Sequence, residues 1–384
     1  MRKSIRLLAM ALALMLALCA CGEPAETETE TQAAEETEKE TEKETETVVD
    51  KYTEKTVNMK EASPYYKALG RTYLSGDSLI CDHAASGVDF ALDCRGDVSV
   101  RVTAKKAGTT FTVDVDGKVT KNVTFDAGTA DYTVASGLEE GFHVIRIVSE
   151  AGSSKPCAID AVTFSGKLTG MYENDMYIEF VGDSISAGYG LGATSREIHD
   201  ATLAYPYLTA QKLEADYTIC AKSGLGVAYS AGASNIFENY YPYQSDVRGK
   251  APYAPTRTPD LVVINLHTND NYQWYSKGGN VEGDYYNFAT FDAKFDNIIK
   301  TVTATYSKDI PMLFVFGCMA NSKYTLATDR SVELIKNKYV PEGYDIQTVI
   351  LPTSRDGVEA HPSAAGAEKQ AQALASFIKE NYSK

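Results

Sequence analysis

Leu261-Val262-Val263-Ile264-Asn265-Leu266 is an almost unbroken apolar run, long enough for a strand and too short for a helix. A strand with one wet face alternates polar and apolar residues. A continuous run needs cover on both faces, as strands have inside a parallel sheet. Four more short apolar segments share this half of the chain, at 177–181, 217–220, 312–316 and 348–351. Apolar residues at helical spacing separate or follow them, at 205–214, 288–306, 331–339 and 363–382. Strands alternating with helices predict a parallel, doubly wound α/β domain over residues 172–384. In such sheets the site lies at the carboxyl ends of the strands.

Residues 57–168 follow a different grammar. Apolar and polar residues alternate at 98–102, 110–115 and 143–147, and shorter runs lie at 123–125, 132–134 and 161–164. Asp116-Gly117 is a turn signal between two of them. Short strands at near-regular spacing, with no convincing helix between, predict a β-sandwich.

Ahead of both lies a segment that cannot fold. Residues 23–55 are Glu/Thr repeats with thirteen acidic and four basic residues. Such a stretch cannot bury enough apolar surface to offset its ordering entropy, so residues 21–56 are expected to form an extended, disordered spacer. The spacer carries −9 and the basic start +3, so residues 56–384 carry −9 of the chain's net −15. No basic stripe is present, which argues against a nucleic-acid partner. Residues 1–20 pair a basic start (Arg2, Lys3, Arg6) with an apolar run from Leu7 to Leu18, the pattern of a secretory signal. Leu18-Cys19-Ala20-Cys21-Gly22 resembles a bacterial lipobox, with Cys21 as the lipidated residue. A lipid there would place the protein on the outer face of the bacterial cell membrane. The five remaining cysteines are odd in number and scattered, and the five histidines are dispersed. Neither a disulfide framework nor a zinc site is expected, and no cofactor is signalled.

The strand ends collect a particular inventory. The first runs into Gly182-Asp183-Ser184, the second into Lys222-Ser223-Gly224-Leu225-Gly226. The third runs into His267-Thr268-Asn269-Asp270, the last into Asp356-Gly357-Val358-Glu359-Ala360-His361-Pro362. A serine, a glycine turn, an asparagine and a histidine at one sheet edge supply what acyl transfer needs: a nucleophile, a base and oxyanion donors. The serine segment is not G-x-S-x-G, because Ser186 stands at the second glycine's place.

Gly182-Asp183-Ser184, Gly224, Asn269-Asp270 and His361 resemble, in order, the blocks of the SGNH (GDSL-like) hydrolases. The preceding domain, with Gly70-Arg71-Thr72-Tyr73 and Gly141-Phe142-His143, is similar to carbohydrate esterase family 2. That resemblance implies a jelly-roll sandwich joined to a flavodoxin-like SGNH domain that removes acetyl groups from polysaccharides such as xylan and glucomannan; a monomer is expected. It also implies Ser184 as nucleophile, His361 as base, and the Ser184 and Gly224 N–H groups with the Asn269 amide as oxyanion donors. Gly226 stands close enough to Gly224 to supply the turn instead.

Two departures from the pattern stand out. Val358 occupies the position three before the histidine where an aspartate is common, leaving Asp356, Glu359 or a backbone carbonyl to orient His361. His267 replaces the usual glycine, where it narrows the pocket, titrates, or turns into the sheet edge. Trp274, near Tyr272 and Tyr275, suits either a sugar face or the core, and Asp270 either substrate or its own loop. Tyr240, Tyr241 and Tyr243 suit glycan binding or packing between domains. The competing functions are a GDSL-type lipase or small-ester hydrolase, which gives the sandwich no role, and a carbohydrate-binding lipoprotein that has lost the chemistry.

Overall fold

The computed structural model describes residues 50–192, 199–230, 235–245, 247–277 and 286–382. The signal segment, Cys21 and most of the spacer lie outside them. The first domain contains β1 (Glu54–Asn58), α1 (Met59–Ala62), β2 (Tyr66–Leu69), β3 (Tyr73–Ser75), β4 (Ser78–Cys81), β5 (Gly87–Ala104), β6 (Thr109–Val115), β7 (Lys118–Phe125), β8 (Gly128–Ser149) and β9 (Cys157–Leu168). Every pairing among these strands is antiparallel. β5 pairs with β8 on one side and β9 on the other, with register shifts around Gly96 that bend it. Val98, Val100 and Val102 point into an apolar core with Phe111, Ile145, Ile147 and Phe164, while Arg101 stays exposed. β1 already pairs with β9 from Glu54, so the folded part begins ahead of the expected start at 57.

The second domain contains β10 (Tyr177–Gly182), α2 (Tyr205–Leu213), β11 (Asp216–Ala221), β12 (Leu261–Asn265), α3 (His267–Ser276), α4 (Phe288–Thr305), β13 (Met312–Phe316), α5 (Leu326–Leu334), β14 (Ile346–Ile350) and α6 (Ala364–Tyr382). The sheet is wholly parallel, in the order β11-β10-β12-β13-β14, the flavodoxin-like arrangement. Residues of β12 explain the opening apolar run: Val262 and Ile264 pack with Phe291, Phe295 and Ile298 of α4, whereas Leu261 and Val263 pack with Tyr205 of α2 and Leu374 of α6.

Two elements differ from expectation. α3 occupies the segment read as a strand-end loop, and α5 begins at Leu326 rather than 331, continuing as a π-helical turn to Tyr339.

A buried ion pair ties the two domains together. Arg71, between β2 and β3, donates to Glu179 of β10 at 3.4 Å and to the carbonyls of Tyr241 and Tyr243 at 2.8 and 3.2 Å. The Tyr241 and Tyr306 hydroxyls donate to the other Glu179 oxygen at 2.6 and 3.0 Å. The aromatic segment 240–243 thus packs at this seam: Tyr241 is fully buried, and the Tyr240 hydroxyl lies 3.3 Å from His83 Nδ1 of the first domain.

Candidate active site

β10 ends at Gly182, where a Cβ would overlap the Ser186 side chain, and the chain turns at once so that Ser184 stands over the sheet edge. Asp183 is buried beneath it, accepting from the Ile185 N–H at 3.0 Å and the Asn269 amide at 3.4 Å. Burial pushes the Asp183 carboxyl up to about 7.

His361 approaches from the loop between β14 and α6. Its Nε2 lies 2.8 Å from Ser184 Oγ, and its Nδ1 lies 3.2 Å from the Val358 carbonyl. A carbonyl only accepts, so the Nδ1 proton is held there and Nε2 is left as the acceptor for the Ser184 hydroxyl proton. The bend that delivers this carbonyl places Glu359 and Ala360 at positive φ, 49° and 59°, an uncommon cost for residues other than glycine. Val358 packs over Gly190, at whose position a Cβ would sit 2.7 Å from its own. The Tyr189 ring lies against His361 at 4.4 Å between centroids. Burial lowers the His361 pKa below the ordinary histidine value, and the carbonyls of Glu359 and Val358 offset this in part.

Neither acid considered as the orienting group reaches the ring. Asp356 accepts from Ser354 and Ser363 and holds the start of α6, which keeps its carboxyl low. Glu359 accepts from the Tyr189 hydroxyl at 2.8 Å. Both are corrections to the sequence reading, and the cause is local: two left-handed residues fold the carbonyl of Val358 under the imidazole before either carboxylate can.

Of the donors expected for an oxyanion, Ser184 and Asn269 line one cleft, and Gly224 lies outside that lining, in the loop held by Asn269 and Asp270. Gly224 adopts φ +81° in the turn after β11, and the next residue's carbonyl, that of Leu225, accepts from the Asn269 amide at 3.0 Å. Gly226 is a packing position, where a Cβ would overlap the Tyr229 carbonyl. Asp270 does not face substrate. It is fully buried and accepts from the N–H groups of Val227, Ala228 and Tyr229 at 2.8, 2.7 and 2.7 Å, pinning the loop that carries Gly224. Burial outweighs these three donors and raises its carboxyl to about 7.

Trp274 is likewise a correction. It is 0 % exposed, packed against Tyr229, Phe288 and Phe291 in the core behind the cleft. The exposed aromatics of α3 are its neighbours Tyr272 and Tyr275, which meet Tyr324 at 6.1 and 4.3 Å between centroids. Tyr272 and Tyr324 line a cleft of about 680 Å³ that also contains Ser184, Asn269 and His361. His267 is on the wall of that cleft, buried to 3 % exposure. His199, which the sequence did not single out, stands 3.3 Å from Ser223 and 5.1 Å from the Tyr189 ring. Among the described residues no cluster of ligating side chains could hold a metal.

Residues 178–374 match the model of the GDSL-like lipase/acylhydrolase family, and residues 68–167 match the N-terminal domain of carbohydrate esterase 2. Cellulase/esterase CelE of Acetivibrio thermocellus is 27% identical over 316 residues, covering 77% of this chain and 37% of that protein. An acetylxylan esterase/glucomannan deacetylase of Cellvibrio japonicus is 32% identical over 157 residues, 37% of this chain and 43% of that protein. The chain thus spans less than half the length of either relative. The structure of a family two carbohydrate esterase from Clostridium thermocellum, in complex with cellohexaose, superposes with a TM-score of 0.72 at 23% identity, covering 82% of this chain and 98% of that one. With both of its folded domains matched in order, and the second match alone spanning over half of its length, the chain belongs to the GDSL-like lipase/acylhydrolases of the carbohydrate esterase 2 type.

Proposed function

We propose that the chain is a serine esterase that removes O-acetyl groups from polysaccharides of the xylan or glucomannan kind. The observation that carries this reading is the 2.8 Å approach of His361 Nε2 to Ser184 Oγ with Nδ1 tied to a carbonyl. The relative named acetylxylan esterase/glucomannan deacetylase supports the substrate class.

In this mechanism Ser184 Oγ attacks the acetyl carbonyl while His361 Nε2 takes its proton. The Ser184 and Gly224 N–H groups and the Asn269 amide receive the oxyanion, each such donor contributing about 2.7–4 kcal/mol. Collapse breaks the bond to the sugar oxygen, which takes the proton from His361. Water, activated by the same histidine, then releases acetate from acetyl-Ser184. The Ser–His dyad works without a carboxylate because the Val358 carbonyl selects the tautomer. Tyr272 and Tyr324 offer rings to the apolar face of a sugar. We read the antiparallel domain as a jelly roll, and Cys21 as a lipid anchor that sets a monomeric enzyme on the extracellular face of the cell membrane.

Acetate release from acetylated xylan tests the reading. The parent releases acetate and Ser184→Ala loses at least about a thousandfold in kcat. Equal rates for the two refute it, and a parent that binds glycan without releasing acetate is a binding lipoprotein. Faster cleavage of long-chain esters than of acetylated xylan makes the protein a lipase.

A further inference from the structure

His267 takes no step in the mechanism, yet it walls the cleft together with Ser184, Asn265, Thr268, Phe316 and Cys318. The ring is enclosed by carbon, with the rings of Phe316, Phe314 and Phe295 at 4.8, 6.1 and 6.3 Å between centroids. Neither Nδ1 nor Nε2 has a hydrogen-bond partner, although both are buried. An imidazole so placed forfeits the bonds it makes to water. What it supplies in return is bulk at the end of β12, one helical turn at most from the Asn269 amide. Burial alone lowers its pKa to about 3, so the ring is neutral and is no second base for the reaction.

An ester on Ser184 divides the space around it. Its carbonyl oxygen faces the amide donors. Its leaving oxygen must lie within reach of His361 Nε2, so the sugar starts beside His361 and extends along the cleft that Tyr272 and Tyr324 also line. The wall made by His267 at the start of α3 and by Phe316 and Cys318 at the end of β13 lines the same cleft as Ser184, and it is the wall we assign to the acyl carbon chain.

We propose that His267 is a specificity-determining residue that closes the acyl end of the cleft and limits the acyl group to acetyl. The proposal rests on the esterase reading and adds the residue that sets acyl length. It is tested by kcat/KM for p-nitrophenyl acetate, butanoate and hexanoate with the parent, His267→Ala and His267→Leu, each checked for folding by near-UV circular dichroism.

The parent favours acetate. In His267→Ala the butanoate-to-acetate ratio rises tenfold or more, the scale on which apolar pockets discriminate methylenes. His267→Leu restores bulk without the nitrogens and returns the ratio toward the parent's. An unchanged ratio in folded His267→Ala overturns the proposal, and so does a His267→Leu profile that matches the alanine variant. If His267→Ala does not fold, His267→Val removes less volume and is read the same way, an unchanged ratio again being fatal. A parent inactive on every ester sinks the esterase reading and this proposal together. An active parent with a flat variant profile sinks the proposal alone.

Discussion

His361, the proposed base, has a backbone carbonyl rather than a carboxylate at Nδ1, and that arrangement has a recognisable titration. Burial lowers the His361 pKa, and the Val358 carbonyl stabilises its N–H without adding a full negative charge. Only the neutral ring accepts the Ser184 proton, so kcat/KM rises with pH through a midpoint below about 6.5, the unperturbed histidine value, and is flat above neutrality. The nearby Glu359 charge also opposes part of the burial, and a midpoint above 6.5 would mean that it and the carbonyls outweigh burial. The acid next in sequence gives the complementary test. Asp356 touches only Ser354 and Ser363, so Asp356→Asn is expected to keep kcat within about threefold and to leave that midpoint in place, whereas removing a triad aspartate costs about 10⁴ in kcat. Steady-state rates from pH 5 to 9 for the parent and Asp356→Asn decide both points. Ser184, Asn269 and His361 could be singled out from the sequence because each follows a strand end, and the structure lines one cleft with all three. The brace was left open between two acids and a backbone carbonyl, because the two left-handed residues that deliver the Val358 carbonyl are announced by no side-chain pattern.

At the scale of elements, the first turns of α3 show how a helix holds a loop in register. Asp270 accepts three backbone N–H bonds from residues 227–229, and the turn bearing Gly224 leads into that segment. Asn offers one acceptor oxygen where the carboxylate offers two, and its NH₂ faces donors. Asp270→Asn is therefore expected to lose about 2–4 kcal/mol of stability, and to lower kcat more than it raises KM, because Gly224, the proposed oxyanion donor, is displaced. Thermal melts and Michaelis kinetics on an acetyl ester check the two halves, and a variant of parental stability removes the pinning role. The element responsible was illegible beforehand. His267-Thr268-Asn269-Asp270-Asn271-Tyr272 is polar and rich in poor helix formers, so local propensity predicts a loop, and packing of Trp274 into the core overrides it. That same packing took Trp274 away from the cleft and left Tyr272 on its rim. The parallel strands were legible for the opposite reason: burial on both faces leaves an uninterrupted apolar run. The long strands β5 and β8 were seen only in pieces, as glycines and polar residues interrupt their alternation where they bend.

Over the whole molecule, buried charge at the seam makes the two domains one cooperative body. Arg71 and Glu179 are 1% and 0% exposed, and removing one partner leaves the other buried and uncompensated, so Arg71→Ala is expected to cost about 3–5 kcal/mol in a single transition that includes both domains. A second place on the seam makes stability depend on pH. Glu150, at the end of β8, accepts from Thr112 at 3.0 Å and lies near Asp200 of the second domain, whose following N–H, that of Ala201, donates to the Glu150 carbonyl at 2.8 Å. Burial first, then the Asp200 charge, raises the Glu150 carboxyl from 4.5 to about 7. A carboxyl whose pKa is raised on folding favours the fold below its unfolded pKa. That contribution drains away as pH climbs from 4.5 to 7, because the unfolded chain releases a proton that the folded chain keeps. Above 7 the folded protein carries the full cost of an ionised, half-paired carboxylate. Glu150→Gln keeps an acceptor for Thr112 and never ionises, so it is expected to stabilise the protein by about 1–3 kcal/mol at pH 8 and by much less at pH 5. Denaturant unfolding of parent and variant at the two pH values measures this. A gain of the same size at both would locate the effect in packing, and a loss at pH 8 would mean that Glu150 holds a favourable charge across the seam.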